Sequence, residues 1–448
     1  MQVSASEILQ KLEDLVHKAK EKGADAADAI SVTSISEGLE VRNQKLEEVE
    51  YSNHQDLGLR VIINGRQAMT SLSDDGAWNS DEIVDDLIVR AKILPKDKYA
   101  VIAEHSKAPD IQLDLYDDTE ISPEDLKETA LVLEDIALSH KGISQSLGAS
   151  VSQNKMMVAM VNSYGFAASY QRSSFGKSVS VLGGAGEHME RDYAYDQKIY
   201  WQDLKNNQEI GDEAAKRTLK RLNPIIPKTG KYHIVFDPRI ARRIVQSLAG
   251  AINGLSIIQK SSFLLDYMSK NIIPSHLSLI DNPLLKRGLA SRPFDGDGKL
   301  SQENAFVQDG ILKSWVLDER SAKELGLVST ASGARSVSSA PSPSTTNLAL
   351  MGGNIPISEL MQQNGGGIYI TDVMGMGTNM ITGDYSQGAS GFLINADGSF
   401  GQAINNFTIA GNLLDMLNNL QAADDIDMAY TIATPTFAVG ELTVAGQS

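Results

Sequence analysis

A chain of 448 residues, 42% apolar and 22% charged, is long enough for two or three domains, each with its own core. Its formal charge of −17 opposes general binding to a phosphate backbone, and the absence of cysteine excludes disulfides, thiolate nucleophiles, iron–sulfur clusters and zinc sites with a Cys ligand. No run approaches the ~18 uninterrupted apolar residues of a spanning helix, and residues 1–15 carry Glu7, Glu13 and Asp14 rather than a signal peptide's apolar stretch. The expectation is a cytoplasmic protein that binds neither membrane nor nucleic acid.

Ser6 is placed to cap a first helix, apolar at Ile8, Leu9, Leu12, Leu15, Val16 and Ala19 and closed by Gly23. The period then becomes that of strands, over 29–36, 38–43, 45–52, 57–63 and 67–72, with Asn64-Gly65 a type I′ hairpin signal. Ser80 opens a second helix that ends before Pro95. Helix, meander, helix is an α+β unit and not a βαβ array. Residues 94–119 read as a linker or long loop. Ser122-Pro123-Glu124-Asp125 then supplies an N-cap, a proline at the first helical position and acids in the first turn of a helix to about Ser139. A second meander follows, over 143–152, 155–162, 167–175 and 177–182, turned at Tyr164-Gly165, and loosely repeats the first unit. A helix over about 212–222 ends this part; its Lys216, Arg217, Lys220 and Arg221 read as a solvated face. Asn223-Pro224 and Pro227 mark the main boundary. The expected division is 1–115 and 116–226 as two α+β units packed together, and 227–448 as a β-rich C-terminal domain.

Beyond the boundary, a strand over 231–236 leads through Asp237-Pro238 into a helix over about 239–253, one face of which is apolar. Residues 305–316 form a hairpin around Asp309-Gly310. The stretch 329–347, nearly all Ser, Thr, Ala, Gly and Pro, lacks the side chains for a core and reads as a mobile assembly arm, with a disordered surface insertion as the bland alternative. Residues 365–411 organise the domain: short apolar runs at 368–373, 392–394 and 407–409 alternate with turn residues. The glycines Gly375, Gly377, Gly383, Gly388 and Gly391 exceed what turns alone require. Either they make a floor on which an extended peptide or partner chain lies, or they form a glycine-rich sheet corner. A short helix over 412–420 and a strand over 436–445 close the chain.

No self-contained catalytic constellation is visible. The seven histidines are too far apart in sequence to share a helix face as metal ligands, and no G-x-S-x-G elbow or P-loop occurs. Glu187 to Asp192 is the only acid and imidazole cluster, and its alternating faces suit a polar loop or strand edge better than a chelate. Asp295-Gly296-Asp297-Gly298 looks like a calcium-loop fragment, but Phe306 stands where the twelfth-position glutamate belongs, so it reads as a turn.

SSFLLD (261–266), GLASRPFDGDG (288–298), DGILKSWVLDERSAKELGL (309–327), MGMGTNMITGDYSQGASGFLI (374–394) and TIAGNLLDM (408–416) closely resemble the TldD/PmbA family. Its members are known as modulators of DNA gyrase and as metalloprotease subunits. The resemblance spans essentially the whole chain and is to the PmbA (TldE) branch. TldD-type subunits carry an HExxxH helix, further zinc coordination from a distant cysteine, and a PmbA-type partner. Here Ala249 and Gly250 stand about where the first histidine and the glutamate would be, and no imidazole follows. The resemblance therefore implies a cytosolic peptidase subunit with no catalytic or metal-ligating residue and no cofactor of its own. Zinc is expected on a TldD-type partner, and the substrate is expected to be unfolded or short peptides. A homodimer is a further possibility for the isolated chain. The residues expected to form a peptide groove or a partner contact are Ser262, Phe263, Gly375, Gly377, Asn379, Thr382, Gly383 and Asp384. A non-enzymatic modulator that binds gyrase or toxin–antitoxin proteins is the alternative.

Overall fold

The computed structural model describes residues 4–73, 79–186, 189–375 and 377–447. Its N-terminal half is one six-stranded antiparallel sheet, formed by β1 (Ala26–Arg42), β2 (Lys45–Ile63), β3 (Arg66–Ser73), β4 (Ile143–Asn162), β5 (Ala167–Gly183) and β6 (Glu190–Lys198) in the order β3-β2-β1-β4-β5-β6. The pairing of β1 with β4, from Asp28 opposite Asn162 to Val41 opposite Ala149, fuses the two units into one sheet. Helices α1 (Ala5–Glu21) and α2 (Ser80–Ile93) flank the first three strands; α3 (Pro123–Leu138) and α4 (Asn207–Lys220) flank the second three. The same αβββα order thus occurs on both sides of the β1–β4 seam.

The long strands each merge two of the expected short ones. Gly38 does not interrupt β1, because Glu50 of β2 and Ser152 of β4 pair with it on either side and hold its backbone in the ladder. The Asn64-Gly65 turn has φ of 50° and 73°, the type I′ geometry. Two helix starts differ from expectation. Ser4, not Ser6, caps α1: its hydroxyl accepts the Glu7 N–H at 3.3 Å while the Glu7 carboxylate accepts the Ser4 N–H at 2.8 Å. A similar box between Asn206 and Glu209 starts α4 at Asn207, ahead of the expected 212.

Side chains on β1 and β4 sort by parity. Ala27, Ala29, Met157 and Ala159 pack under α1 and α2, and Leu39, Val41, Ala149 and Val151 pack under α3 and α4. Even positions such as Met160 face the other way and meet Phe294 of the C-terminal domain. The molecule is therefore layered: helices, sheet, then the C-terminal domain.

That domain begins with β7 (Gly230–Phe236), α5 (Pro238–Ala251), α6 (Gly254–Ile258), β8 (Ser278–Asp281), β9 (Asn304–Gln308), β10 (Ile311–Leu312) and α7 (Glu319–Leu325). Next come β11 (Gly333–Ala334), β12 (Ser342–Pro343), β13 (Leu348–Met351) and α8 (Ile357–Gln363). The glycine-rich stretch supplies β14 (Ile368–Met374), β15 (Asp384–Ile394) and β16 (Phe400–Asn412), followed by α9 (Leu413–Asn418), β17 (Gln421–Ala422), β18 (Ile432–Ala433) and β19 (Phe437–Ala445). One sheet runs β16-β15-β14-β7-β19-β17 and closes on itself where β16 also pairs with β19; a second runs β10-β9-β8-β13-β18. The architecture is α+β with a β-rich C-terminal domain built on the glycine-rich strands.

Residues 329–347 are no mobile arm. They form a strap between the two halves, with Ser329, Thr330, Ala331 and Ser332 buried. The Arg335 side chain, 1% exposed, pairs with Asp28 of β1 at 2.6 Å. The Val337 carbonyl lies so close to Gly58 of β2 that a β-carbon there would sit 2.1 Å from it. A segment without apolar bulk is held in place because its polar groups find partners: Asp295 accepts the Gly333 N–H at 2.9 Å, and Asp281 accepts the Thr346 N–H at 2.7 Å. The basic face of α4 is not wholly solvated either, since Arg221, the C-cap of the helix, is 12% exposed and donates to Ser390 of the C-terminal domain at 2.7 Å. Of the Glu187 to Asp192 cluster, Glu187 and His188 lie outside the described residues; Glu190 and Asp192 lie on β6, at the edge of the sheet.

Candidate functional site

Helix α5 sets the floor of the site. Asp237 caps it by accepting the Arg239 N–H at 2.9 Å. Ile240, Ile244, Val245 and Leu248, spaced for one helical face, are buried in the domain core. The last turn presents Ala249, Gly250 and Ala251, after which Asn253 caps α6. The chain then turns through Ser262, whose hydroxyl donates to the Ala251 carbonyl at 2.6 Å and accepts the Leu264 N–H at 3.0 Å. That pair of bonds ties the turn to the end of α5.

The loop between β14 and β15 lies over this end. Asn379 shapes it: its side-chain oxygen accepts the N–H groups of Ile381 and Thr382, at 3.0 and 3.4 Å, and its carbonyl accepts the Gly383 N–H at 2.8 Å. The Thr382 hydroxyl donates to the Asp384 carboxylate at 2.7 Å, and Asn412 donates to the Thr382 carbonyl at 3.0 Å. The Phe263 N–H donates to the Met380 carbonyl at 2.8 Å, and the Met380 methyl rests 3.5 Å from where a Gly250 β-carbon would stand. Ser262, Phe263, Asn379, Thr382, Gly383 and Asp384 are thus gathered at one end of α5, while Gly375 and Gly377 lie at the other root of the loop. Asn379, Thr382 and Asp384 are exposed, beside Ile381 at 62% and Met374 at 60% exposure.

The glycines serve the chain's own packing. A β-carbon on Gly377 would lie 1.4 Å from the Ser386 carbonyl oxygen, and one on Gly391 would lie 1.9 Å from that of Tyr369. Strands β14 and β15 therefore occupy the space that these glycines leave open. Gly375 and Gly383, at φ of 97° and 81°, turn the backbone. Beneath the loop, burial raises the Tyr385 phenol well above its ordinary pKa, only partly opposed by Arg243, so it stays neutral.

The end of α5 does not fit a zinc ion. Ala249, Gly250 and the overlying Met380 offer no imidazole, carboxylate or thiolate. Among the described residues no three His, Asp or Glu side chains converge as a metal-holding group. Asp295 and Asp297 form a buried turn in which Asp295 accepts the N–H groups of Asp297, Lys299 and Gly333; burial raises both carboxyls. Met380 and Asn412 join the expected residues at the site. Asn412, standing before Leu413-Leu414, carried a legible N-cap signal, whereas nothing local marks Met380 as the lid of α5.

Three family models match the chain: PmbA/TldA metallopeptidase domain 1 over residues 27–92, the central domain over 116–222 and the C-terminal domain over 229–446. A Haemophilus influenzae protein named metalloprotease PmbA homolog is 34% identical over 454 residues, covering 100% of this chain and 98% of that protein. Among solved structures, a candidate modulator of DNA gyrase from Bacteroides thetaiotaomicron superposes with a TM-score of 0.90 at 25% identity over 100% of both chains. TldE from Thermococcus kodakarensis gives 0.84 at 19% identity over 97% of this chain and 99% of that one, a likeness of fold alone. No helix among the described residues is long and apolar enough to cross a membrane.

Proposed function

We propose a function for this chain from one premise: it belongs to the PmbA/TldD metallopeptidase family. In this reading it is the PmbA-type subunit of a heteromeric cytoplasmic peptidase, and the zinc belongs to a TldD-type partner. It contributes a peptide groove or an assembly surface to the cleavage of unfolded or short peptides. The observation that carries the reading is the end of α5, where Ala249 and Gly250 lie under Met380 in place of metal-binding side chains.

The exposed groups at the loop support a contact role. Asn379, Thr382 and Asp384 offer amide, hydroxyl and carboxylate beside the apolar Ile381, a mixture suited to an extended backbone or to a partner's rim. Their internal hydrogen bonds hold the loop ready, which lowers the ordering entropy of docking. No step of bond cleavage is assigned to a side chain of this chain.

Purification alone and together with a TldD-type subunit tests the proposal. Stoichiometric zinc and peptide cleavage are expected in the mixture and not in the chain alone. Cleavage or tightly held zinc with the isolated chain overturns it.

A further inference from the structure

The second α+β unit and the C-terminal domain meet along a crevice that the peptidase reading leaves unused. It has two adjoining lobes, of about 340 and 350 Å³, which share Asp192, Arg221, Arg239 and Thr371. Both volumes lie in the range of small-molecule sites. The second lobe brings Arg217, Lys220 and Arg221 from the end of α4 against Arg239 from α5.

The carboxylates present engage most of these cations. Asp192 takes Arg239 at 2.9 Å and Arg221 at 3.5 Å, Glu190 and Asp372 stand 3.8 and 4.0 Å from Arg221, Asp237 takes Arg239 at 3.2 Å, and Arg217 pairs with Glu213. Lys220 has no carboxylate partner among the described residues, and neither do Arg191 and Arg243, which line the adjoining lobe. The crevice is thus a local excess of positive charge on a chain of net charge −17. Arg221 and Arg239 are each 12% exposed, where water screens little.

One wall of the second lobe is aromatic. Tyr369 and Phe392 pack edge-on against Phe400, with ring centres 5.0 and 5.5 Å apart, and Phe400 remains 51% exposed. Thr371, in the same wall and 8% exposed, has a hydroxyl without a hydrogen-bond partner.

We propose that this lobe binds a small ligand carrying an oxyanion, carboxylate or phosphate, on a flat apolar body. Lys220 takes the oxyanion and the Phe400 ring takes the body. A charge-assisted bond to the lysine and a ring contact contribute separately, so removing either weakens binding without abolishing it.

Calorimetric titration of the full chain tests this with inorganic phosphate, adenosine monophosphate, and a short peptide ending in phenylalanine as free acid and as amide. Adenosine monophosphate or the free acid is expected to bind at least about tenfold more tightly than inorganic phosphate, which lacks the apolar body. The better of the two identifies phosphate or carboxylate as the source of the oxyanion, and the amide is expected not to bind. Lys220→Gln and Phe400→Ala each weaken binding by about fivefold to tenfold, and only the lysine's share fades with added salt. Both residues are exposed, and unchanged circular dichroism of each variant confirms folding. Failure of all four ligands to bind, equal binding of acid and amide, or binding that ignores both substitutions overturns the proposal.

Discussion

At Gly377 the backbone of β15 comes closer than a methyl group allows. Gly377→Ala must push the Ser386 carbonyl aside and is expected to lower stability by about 1–3 kcal/mol in urea unfolding. Gly388→Ala meets its nearest atom at 3.7 Å and should change stability by less than about 0.5 kcal/mol. Equal effects at the two positions would show that the close approach is unimportant. Asp281 gives a residue-scale prediction in pH. Burial, opposed by the bonds from Thr346, pushes its carboxyl up to about 6. The folded chain then holds a proton that the unfolded chain, titrating near ~3.9, has lost. The contribution of Asp281 to stability therefore falls as pH rises from about 4 to about 6. Asp281→Asn removes that slope, so the variant should gain on the native chain between pH 4.5 and pH 7 in urea midpoints. A gap that is constant across this range refutes the assignment.

Helix α5 links the core to the candidate site, because the face that buries Leu248 also fixes where Gly250 meets Met380. Leu248→Ala is expected to cost about 2–5 kcal/mol, while Gln246→Ala on the exposed side should be near neutral. Similar losses from both would remove the argument that packing sets the site. Elements of this kind were legible in the sequence wherever a period and a punctuation mark coincided. Ser122-Pro123 opens α3, Asn64-Gly65 turns β2 into β3, and the runs of 365–411 become β14, β15 and β16. Strand lengths were not legible. Whether a glycine or a polar run ends a strand depends on the neighbours that pair with it, and those of Gly38 lie on other strands.

Across the whole molecule, the strap 329–347 binds the sheet to the C-terminal domain through one buried carboxylate. Asp28 lies between Arg60 and Arg335, and although burial opposes its charge, the two guanidinium groups hold its pKa below the ordinary value. Arg335→Gln strips one cation from that group and is expected to cost about 3–5 kcal/mol. Chemical unfolding followed by circular dichroism and tryptophan emission reads the effect; a loss below about 1 kcal/mol would mean that the strap does not fasten the halves.

Local rules written within a few residues, together with the family motifs, determined the element types, the caps and turns, the glycine-rich organising strands and the missing histidines of α5. Only the tertiary structure decided that two meanders share one sheet, that the polar strap is buried at both ends, and that Met380 covers Gly250. Those outcomes rest on contacts between distant residues, such as Arg335 with Asp28, separated by 307 positions. Neither partner carries a local mark of the other, because burial, pairing and charge compensation arise only once the chain has brought them together.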